Sequence, residues 1–170
     1  MLIGIVSDSH DNLREVDKAV HYLRRAGVDL LIHLGDIVSP FTLLRFLQIE
    51  SRSIVVLGNN DGDVLSLREI AHKAGAVMKM GYYITEIDGL RILMMHGYGS
   101  AEHTVEVATA LARSGLFDVV MYGHTHRAEV RKVGTTTVIN PGEVCGCLYG
   151  VSSIALFDTT TRKAEIVKLL

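Results

Sequence analysis

The sequence predicts an α/β fold with a parallel sheet, to which the second half of the chain adds antiparallel strands. Short apolar runs of four or five residues recur and end in glycine or polar residues, as strands buried on both faces do. Amphipathic helical patterns separate the first of these runs, and strands that alternate with helices indicate βαβ units. Later in the chain the helical patterns give way to successive strands joined by turns.

Five apolar runs predict the strands that matter most for function. They are Leu2–Val6, Leu30–Leu34, Ile54–Leu57, Ile92–Met95 and Val119–Tyr122. Apolar residues at spacings of three and four predict helices over 12–26, 40–47, 64–74 and 101–114. Each predicted helix lies beside at least one predicted strand, as βαβ connectivity requires.

The second half begins with a hairpin signal. Asp88-Gly89 separates two strand-like segments, 82–87 and 90–95, and this dipeptide favours a two-residue turn. Further strands are expected over 128–133, 135–139, 151–157 and 164–169. Because no repeat, low-complexity tract or linker interrupts the pattern, we expect residues 1–170 to form a single domain.

Composition excludes several classes of protein. With 48% apolar and 21% charged residues the chain is typical of a globular domain with a real core. The net charge is −2 and the basic residues are scattered, which argues against stable nucleic-acid binding. No apolar stretch approaches the ~20 residues of a membrane span, and the amino terminus lacks a signal-peptide pattern, so we expect a cytoplasmic protein without membrane contact. Cys145 and Cys147 are interpreted as small part-buried residues.

Side chains of the types that commonly bind metals follow five of the predicted strands. They are Asp8, His10, Asp36, Asn59, Asp61, His96, His124 and His126. Ligands of open α/β sheets bind beyond the carboxyl ends of the strands, so these groups are expected to meet there. Carboxylate, imidazole and amide oxygen without thiolate suit Mn, Fe, Co, Ni or Zn better than a purely oxygen-ligated Ca or Mg site.

Two pairs of ligands share a spacing of two residues. An extended backbone would place Asp8 and His10 on one side of the chain, and likewise His124 and His126. The residue between each pair would face away, so Thr125 is expected to be replaceable. Seven or more ligand groups exceed the needs of one ion that also binds water and substrate. Two metals that share one carboxylate are therefore the economical solution.

Taken singly, these motifs are weak indications. An Asp-x-His pair is often a hydrogen-bonded loop, and Gly-Asp after a strand is often a turn or a helix cap. Their joint occurrence at five strand ends favours a metal site. The other histidines are interpreted as structural: His21, His72 and His103 within helices, and His33 as a buried, hydrogen-bonded strand residue.

Taken in order, six motifs resemble those of the calcineurin-like metallophosphoesterases. They are Asp8-Ser9-His10, Gly35-Asp36, Gly58-Asn59-Asn60-Asp61, His96-Gly97, Gly123-His124-Thr125-His126 and Asn140-Pro141-Gly142. Length and spacing are most similar to the small cap-less phosphodiesterases, which are relatives of a retromer subunit. The resemblance implies the metallo-dependent phosphatase fold, a four-layer αββα sandwich of two mixed β-sheets flanked by helices.

The resemblance also implies a binuclear centre with seven metal ligands. The first metal would be held by Asp8, His10 and His126, the second by Asn59, His96 and His124, and Asp36 would bridge them. Mn is the expected activator, with Ni, Co, Mg, Fe or Zn as alternatives. The implied reaction is hydrolysis of a small phosphodiester, in which two ions ~3.5–4 Å apart activate a water for in-line attack.

Two residues depart from the family pattern. Many members have a histidine at the position of Asn60, and that histidine protonates the leaving group or binds the transition state. An asparagine donates a hydrogen bond but is no acid near neutral pH, so we expect Asn60 to contact the leaving group or transition state and to favour aryl or activated diesters. Glu143 replaces a usual serine. It would repel phosphate if it faced the site, and we expect a part-exposed side chain with a modest effect.

Two interpretations other than a phosphodiesterase stay open. One is a protein-interaction scaffold that keeps the metallophosphoesterase fold with weak or no catalysis, and the other is a metal-sensing or storage protein. A scaffold is expected to lose a ligand, and none is missing here. Exposed strands of the second half could also pair with another copy of the chain, which would give a homo-oligomer.

Overall fold

Two mixed β-sheets lie at the centre of the molecule. The computed structural model describes residues 1–170, with eleven strands and four helices. The strands are β1 (Leu2–Val6), β2 (Leu30–His33), β3 (Arg52–Leu57), β4 (Val77–Met80), β5 (Tyr83–Ile87), β6 (Leu90–Met95), β7 (Val119–Tyr122), β8 (Glu129–Val133), β9 (Thr136–Asn140), β10 (Ser153–Asp158) and β11 (Lys163–Lys168). The helices are α1 (Leu13–Ala26), α2 (Pro40–Phe46), α3 (Val64–Lys73) and α4 (Ala101–Arg113).

The two sheets divide the parallel and antiparallel strands between them. The first has six strands in the order β11-β10-β1-β2-β3-β4, of which β1 to β4 are parallel. The second has five in the order β5-β6-β7-β9-β8, with β6, β7 and β9 parallel. Strands β10 and β11 join the first sheet antiparallel, and β5 and β8 pair antiparallel in the second. Both sheets are therefore mixed, as expected.

Three apolar layers hold the sandwich together. Between the sheets, side chains such as Ile5, Ile32 and Met121 form a core that is fully shielded from water. On the outer face of the first sheet, α1 packs through Val16 and Leu23, while residues of α2 and α3 cover β3. The fourth helix covers the second sheet. The order helix, sheet, sheet, helix confirms the four-layer αββα sandwich.

Local sequence explains where several elements begin and end. Gly27 ends α1 in the left-handed region, with φ of 66°, which is the usual helix-terminating use of glycine. Asp63 caps α3 by accepting a hydrogen bond from the backbone N–H of Ser66 at 3.2 Å. Asp88 and Gly89 both have positive φ, 49° and 74°, as a type I′ hairpin turn requires.

The expected elements occur with shifts of one or two residues at their ends, but β4 was not predicted. Val77–Met80 is an edge strand whose residues are mostly exposed, with Met80 at 74%. It therefore lacks the continuous apolar run by which the buried strands were recognised. None of the four helices combines the length and hydropathy that crossing a bilayer requires.

Candidate metal centre

The seven predicted metal ligands all follow strands of the two parallel regions. Asp8 and His10 come after β1, Asp36 after β2, Asn59 after β3, His96 after β6, and His124 and His126 after β7. The structure brings five of them into one group, packs His124 against His96, and leaves Asn59 exposed in the loop after β3.

Five of these residues have a left-handed backbone. Their φ values are 53° for Asp8, 42° for His10, 56° for Asp36, 68° for His124 and 59° for His126. The expectation that an extended backbone aligns the residue pairs was therefore wrong, although the pairs do meet. Non-glycine residues in this region cost of order 1 kcal/mol or more each and cluster at functional sites. Sharp loops, and not strand alternation, aim these side chains.

Two carboxylates and three imidazoles converge at the centre of the site. His10 Nε2 lies 3.4 Å from Asp36 Oδ2 and 3.9 Å from Asp8 Oδ1. His96 Nε2 lies 3.4 Å from Asp36 Oδ2 and 4.0 Å from Asp8 Oδ1. His126 Nε2 lies 3.3 Å from Asp8 Oδ1. Each imidazole thus faces at least one carboxylate oxygen, and each of these separations is longer than an ordinary hydrogen bond.

The same atoms fit divalent metal ions. Asp8 Oδ1, His10 Nε2 and His96 Nε2 are buried and have no hydrogen-bond partner, which is costly for polar atoms. Ligand atoms ~2.1 Å from a shared ion in tetrahedral geometry are about 3.4 Å apart, close to the separations observed here. The sets Asp8, His10, His126 and Asp8, Asp36, His96 each bring their ligand atoms within 4.8 Å of one another.

Hydrogen bonds to the far ring nitrogens fix the histidine tautomers. His96 Nδ1 lies 2.6 Å from the carbonyl oxygen of Leu34, and His124 Nε2 lies 2.8 Å from that of Gly99. A carbonyl oxygen only accepts, so both of these nitrogens carry the proton. His96 therefore offers the Nε2 lone pair toward the two carboxylates, whereas His124 offers Nδ1.

The rings form two pairs. His10 and His126 stack with centroids 5.1 Å apart, and His96 and His124 meet edge to face at 5.1 Å. The four histidines that follow β1, β6 and β7 thus lie as two neighbouring pairs around Asp8 and Asp36.

Burial and charge act against each other on the ionisable groups. Burial raises the pKa of Asp8 above its usual value, despite the opposing effect of His96 and His126. Burial would also raise the pKa of Asp36, but contacts with His96 and Asn60 outweigh it and hold that pKa well below its usual range. Burial disfavours the charged form of His96, but the carboxylates raise its pKa. Divalent ions would supply the positive charge that these buried carboxylates attract.

Asn60 lies at the site but binds the protein itself. Its Nδ2 donates to Asp36 Oδ2 at 2.7 Å, and its backbone N–H donates to Asp36 Oδ1 at 2.8 Å. The side chain is exposed to solvent as well. Asn60 therefore contacts the predicted bridging ligand.

Asp61 has a role that the sequence does not distinguish from metal binding. Its carboxylate accepts from three backbone N–H groups, those of Asp36 at 3.1 Å, Val38 at 2.7 Å and Gly58 at 2.6 Å. It thus ties the loop after β2 to the loop after β3. In the sequence it resembles any other carboxylate at a strand end.

Glu143 is fully buried, so the expectation of a part-exposed side chain was wrong. The loop that follows it folds back over the carboxylate, which accepts from the backbone N–H of Leu148 at 3.0 Å and of Tyr149 at 2.7 Å. It also accepts from Cys145 Sγ at 3.4 Å, and it lies 2.6 Å from His126 Nδ1. Burial would raise the pKa of Glu143, but these donors lower it.

Small residues around the site are also constrained. A Cβ on Gly123 would lie 2.0 Å from Ser7 Oγ, so glycine permits the close approach of the two loops there. Thr125 is buried and accepts from Asn140 Nδ2 at 2.9 Å, so it is not the freely replaceable residue that was expected. The prediction for His33 is confirmed: it is buried and bonds to Ser9 Oγ at 3.0 Å.

An apolar cavity adjoins the histidine side of the site. Its volume is about 110 Å³, and His96 forms part of its wall. Other lining residues include Leu57, Tyr82, Tyr98 and Val107. The two tyrosines are exposed at its rim.

Comparisons with known proteins show which family the chain is similar to. The family model described as the calcineurin-like phosphoesterase superfamily domain matches residues 1–162. A protein of Methanocaldococcus jannaschii named as a phosphodiesterase is 38% identical over 169 residues, which cover 98% of this chain and 99% of the relative. A probable metallophosphoesterase of Methanothermobacter thermautotrophicus is 28% identical and covers 84% of this chain and 76% of its own length.

Solved structures of similar fold cover all or nearly all of the chain as well. A structure described as a novel archaeal phosphodiesterase has a TM-score of 0.91 and 36% identity, with 99% of this chain and 100% of that chain covered. Zinc-bound Vps29 from Entamoeba histolytica has a TM-score of 0.66 at 20% identity, with both chains fully covered, and shares the fold. Because the family match spans nearly the whole chain and a relative above 30% identity covers it end to end, the chain belongs to the calcineurin-like phosphoesterase superfamily.

Proposed function

We propose that this protein is a metal-dependent phosphodiesterase that hydrolyses small phosphodiesters at a binuclear centre. The observation that carries the proposal is the set of buried atoms without partners, Asp8 Oδ1, His10 Nε2 and His96 Nε2, which face one another beside Asp36. The similarity to a relative named as a phosphodiesterase supports the choice of substrate class.

The ligands divide into two groups in this proposal. Asp8, His10 and His126 would hold the first ion, Asn59, His96 and His124 would hold the second, and Asp36 would be shared by both. When bound, the two ions supply a water of lowered pKa and positive charge for the phosphoryl oxygens. The protein fixes the ligand geometry through the bonds of Leu34, Gly99 and Glu143 to the histidines.

The mixture of imidazole and carboxylate suits first-row transition ions, and we propose Mn as the activator. Ni, Co, Fe, Zn and Mg are the alternatives. Metal-free protein titrated with each ion in turn, with hydrolysis measured after each addition, would rank them.

Aryl or activated diesters are the proposed preferred substrates. Asn60 cannot protonate a leaving alkoxide, so leaving groups that need little protonation should react best. The apolar cavity beside His96 supports this choice, because its volume of about 110 Å³ approaches the ~150 Å³ of an engineered apolar cavity that binds benzene. Asn60→His should raise turnover of an alkyl diester relative to an aryl diester, and an unchanged ratio would count against this account.

The central test is hydrolysis of a nitrophenyl diester and a nitrophenyl monoester. We expect Mn-dependent turnover of the diester that stops with chelator and in Asp36→Asn. Asp17→Asn, which removes a half-exposed carboxylate on α1, is the matched control and should keep full activity. Turnover that survives chelation or Asp36→Asn would overturn the two-metal proposal.

The alternative is a protein-interaction scaffold with weak or no catalysis. It predicts no turnover with any metal. Similarity to Vps29 at 20% identity concerns the fold alone, and the full ligand set favours the enzyme. Four further statements stay predictions from the sequence. They are a single domain over residues 1–170, a cytoplasmic location, self-association into a homo-oligomer, and no stable binding of nucleic acid.

A further inference from the structure

We propose that Glu143 is a positioning residue that sets the tautomer and the donor strength of His126 toward the first metal. This inference rests on the metal binding of the proposed function. It concerns a residue at which the chain departs from the family pattern.

The contacts of Glu143 are those of a carboxylate built into the fold. The side chain is 0% exposed, and each oxygen accepts from backbone N–H groups. Oε1 accepts from Tyr149 at 2.7 Å, and Oε2 accepts from Leu148 at 3.0 Å. Because a buried charge is tolerated only when it is well paired, these donors hold the carboxylate in one place. Oε2 thereby stays aimed at His126.

The bond to His126 fixes which ring nitrogen carries the proton. His126 Nδ1 lies 2.6 Å from Glu143 Oε2, and a carboxylate held by this many donors acts as the acceptor. The proton therefore sits on Nδ1. Nε2 is then the nitrogen available to a metal, and it points toward Asp8 Oδ1 at 3.3 Å.

Glu143 differs from the groups that orient the other histidines. His96 and His124 donate to backbone carbonyls, those of Leu34 and Gly99, which are neutral dipoles. Only His126 has a full negative charge behind its ring. A carboxylate in that position raises the basicity of the ligand, and losing such a partner typically weakens metal binding 10- to 100-fold. The first metal should therefore depend on Glu143 and the second should not.

The same carboxylate links the site to the loop over 144–149. Tyr149 binds Glu143 through its N–H and accepts from Arg127 Nε through its hydroxyl at 2.7 Å. A serine at this position would be too short to join the loop to the imidazole. Glu143 therefore orders this loop and His126 together.

Glu143→Gln tests the inference because it keeps the size and removes the charge. The amide has one oxygen, so its NH₂ must face either His126 or the backbone N–H groups. Glu15→Gln is the matched control, since Glu15 is a largely buried carboxylate that accepts from Ser152 at 2.9 Å at a different place in the fold.

Two measurements would test the inference. Nitrogen NMR of the metal-free protein should show His126 protonated at Nδ1 in the unsubstituted chain and a mixed or reversed tautomer in Glu143→Gln. Calorimetric Mn titration should show one of two sites weakened 10- to 100-fold in Glu143→Gln. Both sites should stay within twofold of wild type in Glu15→Gln.

Specific results would overturn the inference. A proton on Nε2 and none on Nδ1 of His126 in the unsubstituted metal-free protein would do so even if Glu143→Gln failed to fold. Wild-type affinity at both sites in Glu143→Gln would do so as well. Neither readout needs turnover, so a protein that binds two metals and hydrolyses nothing would refute the proposed function and leave this inference standing.

Discussion

Gly58→Ala should disable the metal centre while leaving most of the fold intact. A Cβ on Gly58 would lie 2.2 Å from Asp36 Oδ1 and 2.5 Å from the Asp36 backbone nitrogen. Ordinary contact begins near 3.4 Å, so the carboxylate must retreat by about 1.2 Å, the difference between 3.4 and 2.2. Because backbone as well as side chain is struck, a rotamer change alone cannot relieve the contact.

The magnitude follows from that displacement. Metal–ligand distances are held to roughly ±0.2 Å, so a 1.2 Å retreat of the predicted bridge takes it out of coordination range of at least one ion. We expect at least a ~10-fold loss of Mn affinity at both sites, since Asp36 is the proposed bridge between the two ions. Overpacking should lower the free energy of unfolding of the metal-free protein by about 1–3 kcal/mol.

The assay is calorimetric Mn titration paired with urea unfolding of the metal-free protein. Gly62→Ala is the control, because it lies in the same loop and its Cβ would meet no atom within 4 Å. That variant should match wild type in affinity and differ by less than ~1 kcal/mol in stability. Wild-type Mn affinity in Gly58→Ala would refute the placement of Asp36 as the bridge.

Three further outcomes are expected. Burial lowers the pKa of His33 to about 3, so below pH ~6.5 the unfolded chain binds a proton that the folded one excludes. In urea unfolding of the metal-free protein, this group should lower the free energy of unfolding by up to ~1.4 kcal/mol for each pH unit below pH ~6.5. The same dependence on pH in wild type and in His33→Gln would contradict this. Asp61→Asn should cost about 2 kcal/mol in the same assay, because three backbone N–H groups lose a charged acceptor, and a loss below ~0.5 kcal/mol would be inconsistent with that role. Thr125→Val should cost about 1 kcal/mol by leaving Asn140 Nδ2 without its closest partner, whereas Thr125→Ser should not, and equal stability of the two would exclude this explanation.

Much of the fold and of the site could be predicted because the decisive signals are local. Continuous apolar runs mark the buried strands, and parallel strands carry their carboxyl ends to one edge. Asp8 follows β1 of the first sheet and His96 follows β6 of the second, and the packing of the two sheets brings these side chains to within 4.0 Å. The metal-binding types of these side chains indicate the chemistry without reference to any distance.

What the sequence could not supply depends on long-range contacts or on unusual backbone. Strand β4 is an exposed edge without an apolar run. The left-handed φ of Asp8 and His124 follows from how the loops pack and not from residue type alone. The burial of Glu143 depends on a loop that folds back to supply its N–H donors, and no periodicity encodes that contact.

The most direct test of the binuclear centre is a count of ions in wild type, His124→Ala and His126→Ala. Crystals of each, soaked with Mn and measured for anomalous scattering, would locate every ion. We expect two ions in wild type, with His126→Ala keeping the one beside His96 and His124→Ala keeping the one beside His10. A single ion in wild type, or loss of the same ion in both variants, would contradict the account.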